Sequence, residues 1–156
     1  MKDIWKTDAV ENTSVRLHFS KGVHPQLRKE IMLFLRWIRR EYVFPRKIDI
    51  QISDEMFVLT FLTDEQVSAS IFIPDNERFN VLIRVSTGDY LSTVQNDGYR
   101  VAVCSILGSI AHELTHYYQW VKDHDCRFNE AQARAKAVRI VSKSWDMRQT
   151  PCSFAN

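Results

Sequence analysis

Between residues 99 and 121, apolar side chains fall at Val103, Leu107, Ile110, Leu114 and Val121, a spacing that a long helix turns into one continuous stripe. On that helix Ser105, Gly108, Ser109, His112, His116 and Gln119 share the opposite face. One side must pack on a core, and the other, small and polar, must line a cleft. Any fold for this chain has to be built around such a helix.

The segments ahead of it supply the packing partners. Pro25 suits the first turn of a helix from 25 to about 42, with Leu27, Ile31, Phe34, Leu35 and Ile38 at helical intervals. Runs of β type follow at 47–53, 56–62, 68–73 and 79–86, bounded by turn chemistry such as Thr63-Asp64-Glu65 and Pro74-Asp75-Asn76-Glu77. Connections this short predict a small antiparallel meander of about four strands. The stretch before Pro25 and residues 87–98 read as irregular or loop. A C-terminal helix is expected from about 129 to 144, with Asn129 as N-cap and Ala131, Ala133, Ala135 and Ala137 as helix formers. The tail from Met147, with Pro151 and Cys152, reads as irregular. The order helix, strands, helix, helix predicts an α+β fold, and the lack of repeats or linkers predicts a single domain over 1–156.

Charge and cysteine content narrow the setting. With 21 basic and 19 acidic side chains the net charge is +2, which gives no bulk attraction to nucleic acid or membrane. The opening Met1-Lys2-Asp3-Ile4-Trp5-Lys6-Thr7-Asp8 lacks the apolar run of a signal peptide, and no later stretch approaches the ~18 apolar residues of a membrane span. Cys104, Cys126 and Cys152 are odd in number and widely spaced, which fits a reducing cytoplasm. Oligomeric state is not encoded in any of these features.

Residues 112–116 read His-Glu-Leu-Thr-His, an H-E-x-x-H pattern on the polar face of the long helix. Residues four apart lie one turn apart on one face, so His112 and His116 can converge on one zinc ion. Glu113 is rotated to the flank, where it can take the proton of a metal-bound water without being a ligand. A third protein ligand must come from downstream. The metzincin continuation requires Gly and His three and six residues after the second His, where this chain has Gln119 and Lys122, so that class is excluded. Glu130, at the start of the next helix, is the favoured ligand, because a helix is a stiffer platform than a turn. Asp123, His124, Asp125 and Cys126 in the intervening turn are its local rivals.

Ala111-His112-Glu113-Leu114-Thr115-His116, followed by Glu130-Ala131-Gln132-Ala133 and Ala137, resembles the ImmA/IrrE-type metallopeptidases, which are minimal zincins of gluzincin-like plan. The resemblance covers roughly residues 99–140 and is shared in general plan by SprT-like proteins. It implies zinc held by His112, His116 and Glu130, Glu113 as general base, and an intracellular protein or peptide substrate, often a regulator encoded on a phage or mobile element. The alternative function is a zinc-stabilised regulatory or nucleic-acid-associated module that cleaves nothing.

Zincins commonly bind an extended peptide along a sheet edge beside the metal helix, and residues 79–86 are the expected edge strand. Tyr117, Tyr118 and Arg134 are weaker candidates for oxyanion stabilisation. Basic groups at Arg36, Arg39, Arg40, Arg46 and Lys47, and at Lys136, Arg139, Lys143 and Arg148, leave nucleic-acid contact open, though it is not favoured.

Overall fold

The computed structural model describes residues 14–149, so the Met1–Asp8 opening and the Pro151 and Cys152 tail lie outside it. Strand β1 (Val15–Phe19) leads into helix α1 (Pro25–Glu41). Pro25 occupies the first turn as expected, and the His24 side chain caps the helix by accepting the Gln26 N–H at 3.2 Å. Leu27, Ile31, Phe34, Leu35 and Ile38 are all buried, and the helix stops where Tyr42 turns extended ahead of Pro45.

Strands β2 (Ile48–Ser53), β3 (Val58–Leu59), β4 (Gln66–Val67), β5 (Ala69–Phe72) and β6 (Val81–Ser86) follow. The main sheet has the order β1-β2-β6-β5. β1 runs parallel to β2, β2 parallel to β6, and only β5 is antiparallel, to β6. The expected antiparallel meander is therefore corrected to a mixed sheet. Short connections imply hairpins only if successive strands pair. Here α1 carries the chain from β1 back to a parallel β2, and the stretch holding the separate β3–β4 hairpin and β5 does the same between β2 and β6.

The alternation in Ile48, Ile50 and Ile52 holds, and these residues join Val81, Ile83 and Val85 on one face of the sheet. That face shares a core with Ile31 and Leu35 of α1 and with Ile110 and Leu114 of helix α3 (Tyr99–Lys122). β1 was expected to be irregular; Val15 is its only fully buried residue, so its pattern is faint in sequence. Residues 87–98, expected to be a loop, contain helix α2 (Tyr90–Asp97), of which only Tyr90 is buried. Such a helix has no apolar stripe to announce it. Gly98, with φ of 96°, makes the sharp junction to α3.

Helix α4 (Glu130–Gln149) runs past the expected end near 144, and the irregular reading from Met147 is corrected as far as Gln149. Ile140, Val141 and Trp145 continue its buried stripe, and Arg148 pairs with Glu30 of α1. Among the described residues no helix is long and apolar enough to cross a membrane.

Candidate metal centre

α3 and α4 form an antiparallel helical hairpin, with Arg100 over the Trp145 ring at one end and His116 beside Glu130 at the other. The turn between them is built locally. Asp123 accepts the Asp125 N–H on its side chain at 3.0 Å and the Cys126 N–H on its carbonyl at 3.0 Å. Asn129 then caps α4, its side-chain oxygen taking the Gln132 N–H at 2.9 Å and its carbonyl taking the Ala133 N–H at 3.0 Å. Ala133 and Ala137 are buried, so small side chains let α4 lie close on α3.

This packing delivers the Glu130 carboxylate to both histidines. His112 Nε2 lies 2.9 Å from one carboxylate oxygen and His116 Nε2 lies 3.1 Å from the other. His112, His116 and Glu130 offer ligand atoms within 4.8 Å of one another and could hold a metal ion. Two imidazole nitrogens and one carboxylate oxygen form a donor set that fits a divalent metal ion such as zinc. Asp123, His124, Asp125 and Cys126 are not part of this group; His124 instead stacks on Trp120, with ring centroids 4.3 Å apart.

The electrostatics follow from partial burial beside a carboxylate. Burial and the neighbouring His116 push the His112 pKa down, partly opposed by Glu130. Glu113 is only 7% exposed. Burial, reinforced by the negative Glu130, pushes its carboxyl up to about 7. A divalent cation in the group would pull that value back down.

A cavity of about 760 Å³ opens beside His112 and Glu113 and runs along α3 past Ser105, Gly108 and Ser109. Val138 and Val141 of α4, Ala69 at the start of β5 and Ser68 just before it also line it. A Cβ added at Gly108 would meet nothing within 4 Å, so this glycine widens the channel. Arg134 also lines it, and its charge bears on His112.

Residues 79–86, the expected edge strand, are interior: β6 lies between β2 and β5. The edge on the channel side is β5, which precedes β6 in sequence but sits outside it. Ser68 and Ser86 are a hydrogen-bonded pair, since the Ser86 N–H donates to the Ser68 carbonyl at 2.8 Å. Alternation then turns the main-chain groups of Ala69 and Ile71 outward, to the edge that no other described strand pairs with.

Tyr117 and Tyr118 do not face the metal group. The Tyr117 hydroxyl donates to the Arg46 carbonyl at 2.8 Å and accepts the Arg46 N–H at 2.9 Å, while Tyr118 donates to the Val43 carbonyl at 2.7 Å. Both anchor the segment between α1 and β2. Several of the basic residues are also engaged internally: Arg39 with the Val15 carbonyl, Arg46 with the carbonyls of Pro74, Asn76 and Phe79, and Arg148 with Glu30.

Two contributors escaped the sequence reading, which placed Gln119 only on the polar face and gave Phe128 no role. Gln119 hydrogen-bonds the His116 Nδ1 at 2.9 Å, and the Phe128 ring stacks on His116 with centroids 4.4 Å apart. A Gln one turn beyond His116 was the available signal for the first; nothing local marks the second. No protein-family model matches the chain, and no curated protein matches it either.

Proposed function

We propose that this chain is a zinc-dependent peptidase, a minimal zincin resembling the ImmA/IrrE type, acting on an extended segment of an intracellular protein. The observation that carries the reading is the convergence of Glu130 on His112 and His116, with Glu113 beside them in the channel wall. Bound zinc would supply Lewis acidity toward the scissile carbonyl and toward a water molecule.

The chain's own residues account for the rest. Glu113 makes no hydrogen bond to a described residue, which leaves its carboxylate free to accept a proton from the attacking water and return it to the leaving nitrogen. Its low exposure keeps that transfer out of bulk solvent. The outward main-chain groups of Ala69 and Ile71 can pair with an extended peptide, with Ala69 itself in the channel next to the metal group. Such pairing selects an unfolded or strand-like segment over a folded surface. Arg134 is the cation best placed to meet developing negative charge on the carbonyl oxygen. The thiols of Cys104 and Cys126 are free, which favours a reducing compartment.

The test is metal content of the purified protein together with cleavage of a denatured-protein or random-peptide mixture by wild type and Glu113→Gln. One equivalent of zinc in both, with new amine termini released by wild type alone, is the expected result. Zinc in both without turnover in either would favour the non-cleaving zinc-stabilised module.

A further inference from the structure

We propose that Gln119 is a positioning residue that fixes the tautomer of His116, and that it takes its own orientation from the main chain of Asn129. The proposal rests on the metal-site reading and concerns how that site is kept ready to bind.

Gln119 lies one turn beyond His116 and is 8% exposed. Its amide is fully used. The oxygen sits 2.9 Å from His116 Nδ1 and 3.1 Å from the Asn129 main-chain nitrogen. The nitrogen donates to the Asn129 carbonyl at 3.0 Å and to the Gln132 side-chain oxygen at 2.8 Å.

A side-chain amide can in general be turned over, exchanging donor for acceptor. Here it cannot. A peptide N–H only donates and a carbonyl only accepts, so the Asn129 main chain dictates which end of the amide faces which way. Turned over, the amide would set N–H against N–H and oxygen against oxygen at Asn129. The oxygen must therefore face His116, and His116 Nδ1 must carry the proton.

A neutral imidazole holds one proton, so with Nδ1 protonated the lone pair is on Nε2. Nε2 is the atom that faces Glu130, 3.1 Å away, so the lone pair is presented to a cation shared with that carboxylate; without a cation the two acceptors would repel. Phe128, stacked on the ring with an interplanar angle of 17°, fixes the ring plane as well. His112 has no equivalent: among the described residues its Nδ1 has no hydrogen-bond partner. The centre is thus asymmetric, with one preset ligand on the buried side and one adjustable ligand on the channel side. The same amide also ties the ligand helix α3 to the main chain just before Glu130, so histidine and carboxylate are indexed to each other.

The experiment is a zinc titration of purified protein in competition with a chromophoric chelator, on wild type, Gln119→Leu and Gln119→Glu. Leu removes the acceptor. Glu keeps an acceptor for both His116 Nδ1–H and the Asn129 N–H but loses both donated bonds. Expected are a 10- to 100-fold weaker affinity for Leu and an affinity at least equal to wild type for Glu, the range being that typical for removing a partner of a metal-bound histidine. In the zinc-loaded protein the His116 Nδ1 proton, followed by nitrogen-15 NMR, should exchange slowly in wild type and Glu.

A purely structural role predicts that Glu, having lost the two donated bonds, weakens zinc as Leu does. That result, or wild-type affinity in Leu, overturns the proposal. Should Leu fail to fold, the Glu variant decides alone, with tenfold weakening overturning it. Wild type that binds no zinc would overturn the metal-site reading and this proposal together. Peptide cleavage bears on neither.

Discussion

The carboxylate of Glu30, 3% exposed on α1, receives both terminal nitrogens of the Arg148 guanidinium near the end of α4. Tyr99, at the start of α3, donates to the same carboxylate at 2.9 Å. Three helices meet on one buried acid. Arg148→Met should therefore strand a buried charge and destabilise the protein by about 3 kcal/mol, the lower end of the usual range because Arg148 retains some contact with water. Adding Glu30→Leu should recover much of the loss, since an apolar pair needs no partner. Urea unfolding measures both; a change below about 0.5 kcal/mol in Arg148→Met would show the pair to be idle.

Zinc stoichiometry should be lost in His112→Ala, in His116→Ala and in Glu130→Ala, and kept in Cys126→Ser, because only the first three remove a member of the converging group. Metal analysis after gel filtration reads this directly. Retention of one equivalent in Glu130→Ala would move the third ligand elsewhere.

Glu113 gives a pH signature in the metal-free protein. Its carboxyl is raised from 4.5 to about 7 by burial and by Glu130. The folded state therefore binds the extra proton between those values, and the stability this confers is full below about pH 4.5 and lost as pH rises through 7. Relative to Glu113→Gln, wild type should lose on the order of 3 kcal/mol between pH 4.5 and pH 8. His112, whose pKa is lowered, works in the opposite sense, losing stability as pH falls, but it is present in both proteins and drops out of the difference. A flat difference across this window in denaturant unfolding would contradict the buried, protonated Glu113.

Gly108 lies mid-helix with open space where its Cβ would be. Gly108→Ala should raise stability by about 1 kcal/mol through helix propensity alone. Gly108→Leu should fold and bind zinc normally while filling the channel, lowering kcat/KM for peptides about tenfold or more. Normal turnover in the Leu variant would place the substrate elsewhere.

The outer edge of β5, unpaired among the described residues, admits a similar separation of binding from folding. Ala69→Pro removes an outward N–H that makes no ladder bond, so the sheet should survive while peptide KM rises. Ser70→Pro, by contrast, removes a ladder donor opposite Arg84 and should destabilise the domain. Equal KM in wild type and Ala69→Pro would argue against strand pairing.

What the sequence made legible was what depends on short spacing. His112 and His116 are one turn apart, and Glu130 starts a helix after a brief turn, so their convergence needs no knowledge of the rest of the fold. α1 and α3 announced themselves through long apolar stripes. The mixed sheet did not, because the place of β5 outside β6 is set by pairing between distant segments that leaves no local mark. α2 and β1 each bury a single residue fully, too little for a periodic signal. Gln119 was visible on the correct face, but its contacts with the Asn129 main chain depend on the chain coming back across the turn.

The entire donor set sits within one helical hairpin, Glu130 being only 18 positions from His112. Closing so short a loop carries a small entropic penalty, whereas the parallel pairing of β1 with β2 must wait for the whole of α1 to be laid down between them. The hairpin can thus close before the parallel pairs of the sheet, and a metal ion held there would brace α3 against α4 while β1, β2 and β6 are still apart.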